Sequence, residues 1–214
     1  MYHRISLAAL TCAAASLSAI AACSSSTGPG TGTVTGTGSL IVQLTDAPFS
    51  SDSVSRVDIF VVRVDAKTAD ADSADAAKGA GDDSAGVSGW ITLATPNQKI
   101  ELLALRNGIT NVLGTKTIAA DSYRSFRLVI DPSQSSVTLK NGAVLTSSST
   151  PSVSFPSAAR SGIKINLDKP IAVTAGGTTT ALVDFDVSQS FVIRGSTIAS
   201  GGLIFKPVIR GTTK

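Results

Sequence analysis

The chain has 214 residues, a formal net charge of +3 and 43% hydrophobic residues, of which few are aromatic. Its one His, one Met and two Cys are His3, Met1, Cys12 and Cys23, so nothing beyond Cys23 carries an imidazole or a thiol. That excludes a Ser-His-Asp triad, a Cys-His pair, Cys/His zinc sites, c-type haem, blue copper and iron–sulfur ligation in the rest of the chain. Lys and Arg are interspersed with Asp and form no basic run, so nucleic acid is not an expected partner.

The N-terminus reads as an export signal. Arg4 supplies the positive end, and Ile5 to Ile20 form an apolar run rich in Ala and Ser, too short for a membrane span. Ile20-Ala21-Ala22-Cys23 has the form of a lipobox. Residues 1–22 are therefore expected to be a lipoprotein signal peptide, with Cys23 becoming the lipidated N-terminus. The expected location is the bacterial cell envelope, held to the membrane through lipid. Ser24 carries no Asp-type retention signal, so in a cell with two membranes the outer one is expected. Residues 23–38 (CSSSTGPGTGTVTGTG) hold almost nothing to bury and read as a Gly/Ser/Thr tether.

Residues 39–214 are expected to form one domain, long enough to stand on an apolar core without disulfides. Short β-type runs begin with Leu40 to Leu44 and Val57 to Val64, followed by Trp90 to Leu93. Tyr123 to Ile130 alternates, with Phe126, Leu128 and Ile130 on one face and Ser125 and Arg127 on the other. That is the period of a half-buried strand. Val137 to Thr146, centred on Asn141-Gly142, predicts a hairpin with a type I′ turn. Ile163 to Ile165, Ile171 to Val173, Ala181 to Val187, Phe191 to Arg194 and Leu203 to Ile209 complete the set. Pro207 demands an edge or a bulge in the last run. Only Ile100 to Leu105 suggests a helical turn, ended by Asn107-Gly108. Many short strands separated by turns predict an all-β fold, an immunoglobulin-like or transthyretin-like antiparallel β-sandwich.

Residues 67–88 (KTADADSADAAKGAGDDSAGVS) interrupt the strands. The Asp spacing departs from a calcium-binding EF-hand loop at the third ligand slot and at the Gly, and no Glu follows. A solvated, disordered Asp/Ala-rich loop is expected there. Ser161-Gly162-Ile163-Lys164 matches S-x-x-K, but its surroundings read as strand and the companion motifs are missing. Trp90 is expected to pack in the core or at its rim.

Asp46, Asp184 and Asp186 are the candidate functional cluster. Two residues apart on a strand, Asp184 and Asp186 share a face about 7 Å from each other, with Val183, Phe185 and Val187 opposite. That spacing suits the acid–base pair of an inverting glycosidase, but one Trp and two Tyr furnish a poor sugar platform. A charge cluster paired with Arg124 or Arg127 is the expected reading. Calcium is the alternative partner, and no other cofactor is expected.

Several motifs occur in a characteristic order: Leu44-Thr45-Asp46-Ala47-Pro48, Leu102 to Gly108, Tyr123 with Arg127-Leu128, Gly162-Ile163-Lys164, Val183-Asp184-Phe185-Asp186 with Ser190, and Lys206-Pro207-Val208-Ile209. With this set the chain resembles the bacterial lipoprotein family called Domain of Unknown Function 4382, from about Ser39 to Arg210. The resemblance implies an exported β-rich domain and carries no catalytic residue with it. The expected function is a lipid-anchored, non-catalytic envelope module that binds or adheres to a protein or glycan. The alternatives are a structural envelope component and a carboxylate-based glycan hydrolase.

Overall fold

The structure is a computed structural model and describes residues 36–46, 53–77, 89–156 and 161–214. Cys23, the tether as far as residue 35, and residues 78–88 of the Asp-rich segment lie outside the described residues. The described part falls within one unit, Val34–Lys214.

In chain order the elements are β1 (Thr37–Asp46), β2 (Val54–Thr68), α1 (Ala69–Ala77), β3 (Ile91–Ala94), β4 (Gln98–Glu101), a 3-10 turn (Leu102–Leu105), β5 (Asn111–Ala119) and β6 (Asp121–Leu139). Then come β7 (Val144–Leu145), β8 (Val153–Ser154), β9 (Ile163–Val173), β10 (Thr178–Phe185), α2 (Val187–Ser190), β11 (Phe191–Ile193), α3 (Ile198–Gly201), β12 (Leu203–Phe205) and β13 (Ile209–Thr213). The fold is an all-β sandwich, as the alternation predicts. One sheet has the order β13-β10-β1-β5. The other is built on the long pair β2 and β6, with β3 and β4 along β2, and β9 and β7 along β6. Antiparallel pairing dominates, but β1 runs parallel to β10, Ser39 to Asp46 against Thr178 to Phe185.

The core lies between these sheets. Leu40, Val42 and Leu44 of β1 and Ala181, Val183 and Phe185 of β10 point inward, against Val57, Ile59, Val61 and Val64 of β2 and Phe126, Leu128 and Ile130 of β6. At about 25 cal/mol per Å² of apolar surface, such side chains supply about 1.5–3 kcal/mol each before chain entropy opposes them. A small third sheet, β11-β12-β8, adds Phe191 and Phe205, and the Phe205 ring packs against Phe191, Phe155 after β8 and Phe185 of β10.

Glycines let the two large sheets meet at their edges. A Cβ on Gly114 of β5 would lie 2.3 Å from the Ala94 Cβ of β3, and one on Gly211 of β13 would lie 2.1 Å from Leu167 Cδ2 of β9. Lys116 Nζ of β5 also donates to the Thr92 carbonyl of β3 at 2.6 Å. Edges brought together in this way are poor templates for unwanted strand pairing.

Three local expectations change. The Tyr123–Ile130 strand and the first arm of the predicted hairpin are one strand, β6. It is bent at Asp131-Pro132, where Ser135 Oγ donates to the Asp131 carbonyl at 2.7 Å and accepts Phe60 N–H at 3.0 Å. The Asn141-Gly142 hairpin forms, but only Gly142 has positive φ (87°). With Gly142 N–H donating to the Leu139 carbonyl, the turn has the three-residue, bulged form rather than type I′. Finally, residues 67–77 are ordered elements rather than a disordered loop. Lys67 and Thr68 end β2, and Thr68 Oγ1 caps the helix α1 by accepting Ala71 N–H at 3.3 Å. The Ala-rich run and Asp70 and Asp72 in the first turn suit a helix N-terminus.

Candidate functional site

Four of the ordered motifs meet at one end of the β13-β10-β1-β5 sheet. β1 and β10, being parallel, finish there together, with Asp46 beside Phe185. β13 begins there, since Phe185 also pairs with Ile209. The 3-10 turn and the loop to β5 close over β1: Thr45 Oγ1 stands 3.0 Å from both the Leu105 and Ile109 carbonyls. Asn107 and Gly108 make that loop turn with φ of 61° and 82°. Ser190, fully buried, donates to the Asp186 carbonyl at 2.6 Å and accepts Val208 N–H at 2.9 Å.

Asp186 is not on a strand. β10 ends at Phe185, and Asp186 is the N-cap of α2. Its Oδ1 accepts Gln189 N–H at 3.1 Å and the Ser188 hydroxyl, while its Oδ2 accepts the Gln189 side-chain amide. Burial pushes this carboxyl upward, but the Ser188 and Gln189 donors together hold it below its ordinary range. The sequence signal was present: Asp186-Val187-Ser188-Gln189 has the spacing of a capping box.

Asp184 stays on β10, across from Arg210 of β13. Burial, then the charge of Asp186, raise its carboxyl, and Arg210 offsets part of this. Its Oδ1 is buried without a hydrogen-bond partner.

Asp46 is the most enclosed of the three, 3% exposed. Oδ1 accepts Val187 N–H at 3.2 Å, so β1 holds the first residue of α2. Oδ2 is buried with no hydrogen-bond partner. Burial pushes the carboxyl up to about 7; Val187 N–H and Arg106 draw it down, and Asp184 and Asp186 push it further up.

The expected cationic partners, Arg124 and Arg127, are replaced by Arg106 and Arg210. Arg127 is engaged elsewhere because β6 lies in the other sheet. Among the described residues no three His, Cys, Asp or Glu side chains are grouped as a metal site requires.

The second polar cluster went unread in the sequence. On the outer face of the β2–β6 sheet, Asp65 of β2 faces Arg127 of β6. Arg127 Nε and Nη2 donate to Asp65 Oδ2 at 3.0 and 2.7 Å, and Thr92 Oγ1 donates to Oδ1 at 2.9 Å. Trp90 covers the pair, with the Arg127 guanidinium 4.5 Å and the Lys67 ammonium 5.3 Å from its ring centroid. Asp72 of α1 approaches Lys164 Nζ at 3.4 Å and Lys67 Nζ at 3.9 Å. Trp90, half-buried, thus packs at the rim as a lid on buried charge and is not a free stacking platform. Lys164, of the S-x-x-K match, belongs to this pairing on strand β9. Gly162 makes room for it: a Cβ there would lie 2.7 Å from Arg127 Cγ.

No helix among the described residues is long and apolar enough to cross a membrane. No curated protein and no solved structure matches the chain. The model of one family, described as a domain of unknown function (DUF4382), matches residues 37–207. By that match the chain belongs to the DUF4382 family.

Proposed function

We propose that this protein is a lipid-anchored module of the bacterial cell envelope that binds a protein ligand without catalysing a reaction. The observation that supports it most is the pair Ile109 and Val112, 57% and 52% exposed, at the end of the sandwich where β1 finishes. Val112 stands across from Gln43 of β1, and Ile109 follows the positive-φ turn at Asn107-Gly108. Aliphatic side chains left in water beside a rigid sheet suit burial against another protein. A glycan would want an aromatic platform, and Trp90 is engaged with Arg127 and Lys67.

The same reading treats Asp184 and Asp186 as structural. Asp186 has both carboxylate oxygens committed to α2, which leaves none for a base. Anchoring rests on the Ile20-Ala21-Ala22-Cys23 lipobox. Cys23→Ala should abolish labelling by a palmitate analogue and leave an unprocessed precursor; labelling of that variant would contradict the anchor.

A structural envelope component without a dedicated ligand is the second reading. It draws support from the outer face of the β13-β10-β1-β5 sheet, where Thr115, Thr117, Thr178 and Thr212 are exposed. Loss of ligand capture on replacing Ile109 separates the two.

A further inference from the structure

The charged cluster beneath α1 and Trp90 is unevenly paired. Among the described residues, Arg63, Lys67, Arg127 and Lys164 stand against two carboxylates, Asp65 and Asp72. Asp65 is fully engaged, since Arg63, Arg127 and Thr92 all donate to it. Asp72 is not. Its Oδ1 lies 3.4 Å from the Lys164 ammonium and 3.9 Å from that of the fully buried Lys67, yet it is enclosed without a hydrogen bond. Both distances exceed the roughly 2.7–2.9 Å of a charge-assisted hydrogen bond. Trp90 Nε1, on the ring that rests on Lys67 and Arg127, is likewise a buried donor without a partner.

The helix sets these distances. Asp72 enters the cluster as part of α1, whose start is tied to the end of β2 by the Thr68 cap. The helix itself is lightly held. It lies on β2 and β6, but none of its side chains from Ala69 to Ala74 is buried. A short helix with so little enclosed surface opens locally at low cost.

We propose that Lys67, Lys164 and Trp90 form a binding site for a carboxylate ligand, and that Asp72 occupies it in the free protein as an internal, displaceable anion. The site lies on the outer face of the β2–β6 sheet and does not depend on the Ile109 end. A ligand carboxylate approaches both ammonium groups and the indole N–H at hydrogen-bonding distance, which the α1 backbone denies to Asp72. Enclosed under Trp90, such bonds are stronger than in water. Against the ligand stands the effective concentration of Asp72, on the order of millimolar for a group tethered so closely. Free ligand therefore binds the parent domain weakly, and its binding releases α1 from the sheet. The coupling is reciprocal, so whatever loosens α1 tightens the ligand.

Trp90 is the one Trp of the chain, so its fluorescence reports on this site alone. The test titrates succinate, at constant ionic strength made up with chloride, into the compact unit Val34–Lys214 and its Asp72→Asn variant. Lys164→Gln is added to each, because Lys164 is substantially exposed and its loss spares the fold. Asp72→Asn should bind succinate about tenfold more tightly than the parent, because an internal competitor and its repulsion are gone. Lys164→Gln should abolish the fluorescence change in both. In the parent, succinate should speed hydrogen exchange of the α1 amides. No saturable change in Asp72→Asn, equal affinity in parent and Asp72→Asn, or binding that survives Lys164→Gln overturns the site. Unaltered α1 exchange in the saturated parent overturns the displacement, and tighter binding of inorganic phosphate than of succinate overturns the carboxylate assignment.

Discussion

Asp65 and Arg127 face each other across β2 and β6, with Arg127 Nη2 donating to Asp65 Oδ2 at 2.7 Å and both side chains almost wholly enclosed. Two buried charges this close are costly to separate. Removing one leaves the other stranded, typically at about 3–5 kcal/mol.

Arg127→Met should therefore lower the melting midpoint by about 6–20 °C, at about 2–4 °C per kcal/mol for a domain of this size, with Arg63 beside Asp65 placing it in the lower part of that range. The double variant Asp65→Leu, Arg127→Met should recover most of that loss, because an apolar pair carries no stranded charge. Differential scanning calorimetry of the two variants measures this. A double variant as unstable as the single one would mean that the pair acts through something other than its charge.

Helix α1 sits on this cluster through Asp72. Asp72→Asn should cost about 1 kcal/mol, because Lys164 is substantially exposed and the buried Lys67 ammonium stands 3.9 Å away, beyond hydrogen-bond reach. Deleting Ala69 to Ser84 should cost several degrees, because it uncovers Lys67 and removes a capped helix. Equal midpoints for the deletion and the parent domain would restore the reading of this segment as a passive loop.

Gly114 and Ala94 are the closest approach of β5 to β3. Gly114→Ala should destabilise by about 1–3 kcal/mol through overpacking, and Ala94→Gly added to it should recover part of the loss. Urea midpoints of the three variants decide. No loss in Gly114→Ala would mean that the sheet edges are not held together there.

The folded state holds Asp46 near 7 against its ordinary 3.8, so between these values it binds more protons than the unfolded chain. Its stabilising contribution is complete below about 3.8 and is lost as the pH rises toward 7, with no further change above. Asp184 acts in the same direction and Asp186 in the opposite one. Asp46→Asn removes one buried charge. It should raise the melting midpoint at pH 8 by several degrees, raise it little at pH 4, and flatten the profile between. An unchanged profile would show that Asp46 ionises freely in the folded domain.

Much of the fold was legible because burial imposes a period of two on a strand. Phe126, Leu128 and Ile130 join the apolar core while Ser125 and Arg127 between them make polar contacts with Asn166 and Asp65, as their alternation predicts, although all five are buried. What that period conceals is what covers the outer face. Asp65, Lys67 and Arg127 read as solvated strand residues, and only the return of Trp90 and α1 over them makes them buried. Those contacts join residues as far apart as Asp65 and Arg127, and no local pattern signals them. The Asp184–Asp186 reading failed for a local reason instead. A strand periodicity was carried one residue past Phe185, into a helix cap that Gln189 had already marked.

Binding at the Ile109–Val112 end is the claim most open to a direct trial. Purified domain, residues 34–214, would be incubated with isolated envelopes of the source cell and cross-linked, with Ile109→Asp/Val112→Asp and Val144→Asp in parallel. Val144 is equally exposed, at 53%, but lies on β7 in the other sheet. The account predicts one protease-sensitive cross-linked species, lost in the Ile109/Val112 variant and kept in Val144→Asp. Equal cross-linking by all three domains, none by any, or a species that only glycan-degrading enzymes remove, would contradict it.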